Sequence, residues 1–210
     1  MQDEMNKTVY SKNVIEFVAL ANEYCNFLEE SRSHKRVVIK AYLLRIIPLI
    51  YFRAVILPEP EPAGEEENEK FVTEQDYINI ENQLEEKFGE QDAFLEVFDP
   101  LMQESEHPVP QSLAENLTDI YQELKNFITL YRLMDIEKMN DAIWECKTNF
   151  KNEWGQKVVN TLRALHMISF GGDDEEEEDI PRDHDFDFDN IDTSNWLISR
   201  KIEDYNGDDQ

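Results

Sequence analysis

The side chains that could carry chemistry in this sequence are few and dispersed. Its four histidines, His34, His107, His166 and His184, never form the i, i+4 pair that sets two imidazoles on one metal ion. Glu104 and His107 have the E-x-x-H spacing of di-iron bundles, but they stand alone between Pro100 and Pro108. Such centres need two copies of the motif and carboxylates from four helices. The run DHDFDFDN, Asp183 to Asn190, offers D-x-D-x-D, yet a calcium loop counted from Asp183 would need glycine at its sixth place and glutamate at its twelfth; Phe188 and Ser194 stand there. On these grounds neither a metal nor a cofactor is expected. Cys25 and Cys146 form no C-x-x-C pair and lie at helical steps from apolar residues, so they read as buried thiols of a reducing compartment. No phosphate-cradling glycine loop and no G-x-S-x-G nucleophile turn occurs anywhere.

Three patterns stand above this background. Trp154-Gly155 falls inside a helical period, where glycine costs about 1 kcal/mol relative to alanine, so its presence points to a close backbone approach, a kink or a ligand contact. Arg163 and His166 lie one turn apart and continue a polar strip through Asn152, Gln156 and Asn160. Together Trp154, Gly155, Arg163 and His166 form a candidate binding strip. The third pattern is a paradox of charge. The chain has a formal net charge of -27, yet Ser31 to Pro58 holds six lysines and arginines and no acid.

Two roles are open to those cations. Arg32, Arg36 and Lys40, four residues apart, could receive the chain's own acidic tail or an external anion; Arg45 and Arg53 could reach carboxylates on neighbouring helices. For Arg45, in the middle of the most apolar run, the expected partner lies on the first or fifth helix. Internal neutralisation is favoured, because a tethered tail presents carboxylates at far higher local concentration than a dilute partner. Nucleic acid is disfavoured as a partner, since this net charge repels a polyanion at long range.

The elements that must position these groups are helical. At 210 residues the chain can bury one good core, and the expected fold is an all-α, irregular bundle of about five helices with an acidic C-terminal extension. Residues 1–170 form the bundle domain; 58–72 are an exposed, mobile acidic and proline-rich linker within it; 171–210 are the tail. The first helix is expected from near Val9 to Glu30, on the period of Val14, Phe17, Val18, Ala21, Tyr24, Cys25 and Leu28. Ser31 or Ser33 would cap the second, which carries Pro48 in its interior and is expected to kink one turn before it. Arg45, with Lys40 and Arg53 on either side, argues against a membrane span.

Thr73 and Asp76 resemble a capping box that opens a third helix ending before Gly89, and Ser112-x-x-Glu115 opens a fourth. A fifth runs from about Ile136 to Ile168, with Ile143, Phe150, Trp154, Val158, Leu162 and Leu165 inward. Residues 171–210 hold sixteen acids and three bases, a net of -13, and most read as solvated tail. Near their end, DTSNWLISRKIEDY could form a short amphipathic helix that needs a groove.

The run NEWGQKVVNTLRALH, Asn152 to His166, together with FVALANEYCNFLE, resembles a bacterial family catalogued as domain of unknown function 5063. Trp154, Gly155, Leu162, Arg163, Ala164, Leu165 and His166 match its W-G and A-L-R-A-L-H signature, while Thr161 replaces the first alanine. The resemblance spans roughly Val9 to Ile168 and implies an all-α fold without supplying an activity.

Function is therefore expected to be that of a non-enzymatic accessory module that binds a protein partner. MQDEMNKTVY has neither a basic n-region nor an apolar h-region, which argues for a cytoplasmic protein. Two other classes compete. One is an enzyme or binding protein for a small anionic ligand, using Arg163 and His166; the other is an acidic nucleic-acid mimic, which would need ordered rows of surface carboxylates.

Overall fold

The computed structural model describes residues 2–64, 67–95 and 109–171. The E-x-x-H motif at Glu104, the Asp183–Asn190 run, His184 and the segment Asp192–Tyr205 lie outside them. The fold is an all-α bundle with one short strand pair.

The expected first helix, from near Val9 to Glu30, is the second of two helices. α1 spans Gln2–Val9 and α2 spans Lys12–Glu29, separated at Tyr10 and Ser11. Ser11 adopts an extended backbone there (φ -64°, ψ 148°). The apolar period hides this break because both helices present their residues to the same core: Val9 and Val14 are each fully buried. After α2 comes a 3-10 turn, Ser31–Ser33, so neither serine caps the next helix. Ser31 is buried and its hydroxyl bonds Gln83 on a later helix.

α3, Arg36–Val55, begins at an extended Lys35 with no side-chain cap and carries Pro48 in its interior. α4, Glu74–Phe88, opens on the expected box: the Asp76 amide donates to Thr73 Oγ1 at 3.2 Å, and the Thr73 amide donates to Asp76 Oδ2 at 3.1 Å. That exchange satisfies two amides that a helix start leaves without partners. α4 ends at Gly89, whose φ of +54° suits a residue without a Cβ.

Ala93–Leu95 (β1) then pairs antiparallel with Pro110–Ser112 (β2). The pairing brings Asp92 to the start of α5, Leu113–Tyr131, where its carboxylate accepts from the Ala114 amide at 2.7 Å while Ser112 Oγ accepts from Glu115 at 2.9 Å. α5 packs against α2, α4 and the two helices that follow it in the chain, and its buried face runs from Leu113 to Tyr131. It is the axis of the bundle.

α6, Ile136–Asn149, and α7, Gly155–Phe170, are joined without a loop by a π turn, Phe150–Trp154. A π turn inserts one extra residue into the helix. It advances the buried face, so that Ile143 and Cys146 before it and Trp154, Val158 and Leu165 after it all meet the core.

Two buried tyrosine hydroxyls are matched across the bundle. Tyr24 OH donates to the Leu117 carbonyl at 2.8 Å and Tyr131 OH to that of Val9 at 2.6 Å. The segment after α3, expected as a linker, is largely exposed but laid along α6. The Ala63 and Gly64 amides donate to Asp141, Asn140 donates to the Glu61 carbonyl, and Lys70 meets Glu145 at 2.7 Å. No helix among the described residues is long and apolar enough to cross a membrane.

Candidate functional site

The cations of the acid-free stretch have different fates. Arg53 pairs with Glu16 of α2 at 2.5 Å, half-buried on both sides. Arg45 does not reach a carboxylate among the described residues, which corrects the expected pair with the first or fifth helix; it is half-buried at the side of α3. Among the described residues the buried cation is Lys147 of α6. It donates to the Ala54 and Val55 carbonyls at 2.8 and 2.7 Å, at the end of α3 where carbonyls lack intrahelical partners and the dipole favours positive charge. Burial lowers its pKa below the ordinary lysine value. Lys40 does the same for α7, donating to the Ile168 carbonyl at 3.4 Å, and Lys87 for the turn after α2, through the carbonyls of Arg32 and His34. Much of the basic charge thus closes helix ends.

The candidate residues divide by burial. Trp154 is 1% exposed, and its indole nitrogen donates to the Cys146 carbonyl at 3.2 Å. Gly155 is buried at the end of the π turn, donating its amide to Phe150. A Cβ there would stand 2.3 Å from the Phe150 carbonyl oxygen and 3.0 Å from its ring. The close approach implied by this glycine is to its own helix, one turn back. Arg163 and His166 are exposed, and the His166 ring lies 5.0 Å from that of Phe170. Arg32 and Arg36 are exposed and Lys40 half-buried; Arg32 belongs to the 3-10 turn, so only the last two share a helix.

What sequence reasoning missed is the company these exposed residues keep. Val159, Arg163, His166, Met167 and Phe170 recur at helical steps and define one outward face of α7. Val159 is 44% exposed, Met167 and Phe170 60% each. On α3, Val37, Ala41, Leu44 and Pro48 are half-buried, and the same face continues into exposed Tyr51, Phe52 and Val55. Lys40, near the start of α3, reaches Ile168 near the end of α7, while Tyr51 packs at 5.4 Å on Phe150 just ahead of α7. The two helices therefore run antiparallel, side by side, each with exposed apolar side chains, although on α3 Leu44 also packs against the core and Tyr51 against Phe150. Arg36, Lys40 and Arg45 flank the α3 stripe. A helix apolar on all sides is ordinarily enclosed; here the enclosure is incomplete among the described residues.

Two concavities lie elsewhere. One, of about 480 Å³ between α2, α4 and α5, is lined by Glu29, Asp76, Tyr121 and Lys125, but Glu29 already accepts from Tyr121 at 2.9 Å and from Lys125 at 2.5 Å. The second, of about 860 Å³, lies between α1, the proline-rich segment and the start of α6, with Glu4, Glu59, Glu61 and Glu137 on its walls. Glu59 is engaged by Lys151 and lies 3.9 Å from Lys147. Among the described residues no three His, Cys, Asp or Glu side chains converge as metal ligands. Both thiols are buried, and burial raises their pKa values, the opposite of what an attacking thiolate requires.

Comparison with known proteins agrees with this architecture. None of the curated proteins matches the chain. The crystal structure of protein BF1032 from Bacteroides fragilis superposes with a TM-score of 0.72 at 38% identity, covering 80% of this chain and 99% of that one. The model of the family described as domain of unknown function 5063 matches residues 8–171, from the end of α1 to the last residue of the bundle. The chain belongs to that family.

Proposed function

We propose that this protein is a non-enzymatic interaction module and that the outward face of α3 and α7 is where a protein partner docks. The observation that carries the reading is the row of large exposed apolar side chains, Tyr51, Phe52 and Val55 on α3 with Val159, Met167 and Phe170 on α7. Scattered apolar residues on a surface need no explanation, whereas a run of them on two neighbouring helices does. Aromatic and methionine side chains are the types enriched in interfaces, and arginines at the rim fix orientation through charge. Arg163 and His166, on the same α7 face, take that rim role, with Arg36 and Arg45 on the α3 side.

Affinity capture from the native cell lysate tests the reading. The wild-type chain should retain a protein that Phe52→Asp/Met167→Asp loses by about tenfold or more, the scale of one interface hot spot. Ile78→Asp, at an exposed apolar site on α4, should retain it. Identical capture by all three proteins would contradict the assignment.

A further inference from the structure

The same face has an occupant of suitable chemistry within this chain. Resting on the reading of α3 and α7 as a docking surface, we propose that the segment Asp192–Tyr205 folds back and covers it when no partner is bound. Three observations carry this. The first is where the chain leaves the bundle. α7 ends at Phe170, and Lys40, on the acid-free helix, is bonded to the carbonyl of Ile168. The chain therefore departs at the basic beginning of α3, beside Arg36.

The second is the order of chemistry along the chain beyond Gly171. Asp173 to Asp179 is seven consecutive acids, and Trp196, Leu197, Ile198, Ile202 and Tyr205 come later. Along α3 the face has the same order, with Arg36 and Lys40 at the end where the chain departs and the exposed Tyr51, Phe52 and Val55 at the far end, while α7 adds Met167 and Phe170 at the near end. Acid meets base first, and apolar meets apolar beyond it.

The third is reach. Twenty residues lie between Gly171 and Asp192, enough to extend about 70 Å, whereas the stripe from Val37 to Val55 is about 27 Å long. Net charge decides between this occupant and a free acidic one. A separate acidic protein must approach a chain of charge -27 against long-range repulsion, while a tethered segment is already present at an effective concentration of about 1 mM. The family match stops at residue 171, so the segment lies outside the region that the family model covers.

The test uses the full chain with Phe52 replaced by photoreactive benzoylphenylalanine, an exposed position where an aromatic ring is retained. Irradiation should give crosslinks that map to residues 192–205. In a mixture of isotopically light and heavy chains at about 1 µM, same-chain products should exceed mixed products by about 10²–10³, the ratio of effective to bulk concentration. Yield should fall in Trp196→Asp/Ile202→Asp and in Arg36→Glu, the latter at an exposed position. The proposal is overturned if crosslinks join two chains, if they map elsewhere, or if the same photoreactive residue at Ile78 captures 192–205 equally well. Crosslinking to 192–205 while partner capture ignores the face would uphold this inference and sink the partner reading. Capture that depends on the face without any such crosslink would do the reverse.

Discussion

Gly155→Ala isolates the π turn. In a regular exposed helix this change would add about 1 kcal/mol of stability, because alanine is the better helix former. Here the added Cβ would lie 2.3 Å from the Phe150 carbonyl oxygen and 3.0 Å from two carbons of its ring. Ordinary contact begins near 3.4 Å, so the carbonyl would have to move by about 1 Å. It cannot do so freely, since it accepts the Gly155 amide in the bond that defines the turn; weakening that bond costs about 0.5–1.5 kcal/mol. The Phe150 ring is held as well, packed edge-on against Trp154 at 4.8 Å and against Tyr51 at 5.4 Å. Overpacking of this kind costs about 1–3 kcal/mol. Both costs, set against the propensity gain of about 1 kcal/mol, leave a net expected loss of about 0.5–3.5 kcal/mol. Urea denaturation followed by circular dichroism measures it, with an unchanged m-value showing that the unfolding unit is the same. A variant as stable as the parent, or more stable, would refute the claim that the glycine exists to admit the π turn.

Three further changes test buried polar groups elsewhere in the bundle. Lys147→Met keeps the buried stem but leaves the Ala54 and Val55 carbonyls without their charged donor, and should cost about 2–3 kcal/mol in urea denaturation. Thr161→Ala should gain about 0.5–2 kcal/mol in the same assay: the Thr161 hydroxyl is fully buried without a hydrogen-bond partner, and removing it relieves an unmet desolvation cost and improves helix propensity. Glu123 is a carboxyl whose pKa burial raises above the ordinary glutamate value of 4.5, although Asn149 donates to it at 2.9 Å. A raised carboxyl pKa contributes stability below its unfolded pKa and loses that contribution as pH rises through the folded value. Glu123→Gln should therefore be more stable than the parent at pH 7, with the difference vanishing below pH 4.5; a gain that persists in acid would show that charge is not the cause.

Local signals in the sequence translate directly into structure. Thr73 with Asp76 and Ser112 with Glu115 start helices because a cap involves residues three apart, and α5 follows its apolar period from Leu113 to Tyr131. Gly155 likewise marks a real irregularity, although its close neighbour is Phe150 of the same helix. Features that depend on segments distant in sequence are not legible in this way. Lys147 reads as an ordinary surface cation; its burial comes from the end of α3 arriving beside α6, a meeting of residues 92 and 93 positions apart. The proline-rich segment after α3 reads as loose chain because its order comes from Asp141 and Glu145 on a later helix. Ser31 reads as a cap, but Gln83 takes its hydroxyl.

The α3 face illustrates the same limit for function. An apolar run with interspersed cations specifies a helix that prefers enclosure, but the number of neighbours supplied to it is a property of the whole bundle. Arg163 and His166 are legible as a polar pair, while Val159, Met167 and Phe170 beside them fall outside the inward set that the helical period picks out. Only the packing of α7 against α3 brings those side chains beside the α3 stripe.

Hydroxyl-radical footprinting read by mass spectrometry addresses the docking face most directly, since Met167, Phe52, Phe170 and Tyr51 are among its most easily oxidised side chains. The full chain is compared with and without the protein captured on it, and with and without Trp196→Asp/Ile202→Asp. If the α3 and α7 face is the docking surface, Met167, Phe52 and Phe170 are protected in the complex while Ile78 and Leu95, exposed on other elements, are unchanged, and the tail variant raises oxidation of the same three residues in the free chain. Protection confined to α4 or to the cleft beside α1, with Phe52 and Met167 oxidised alike in every state, would contradict it.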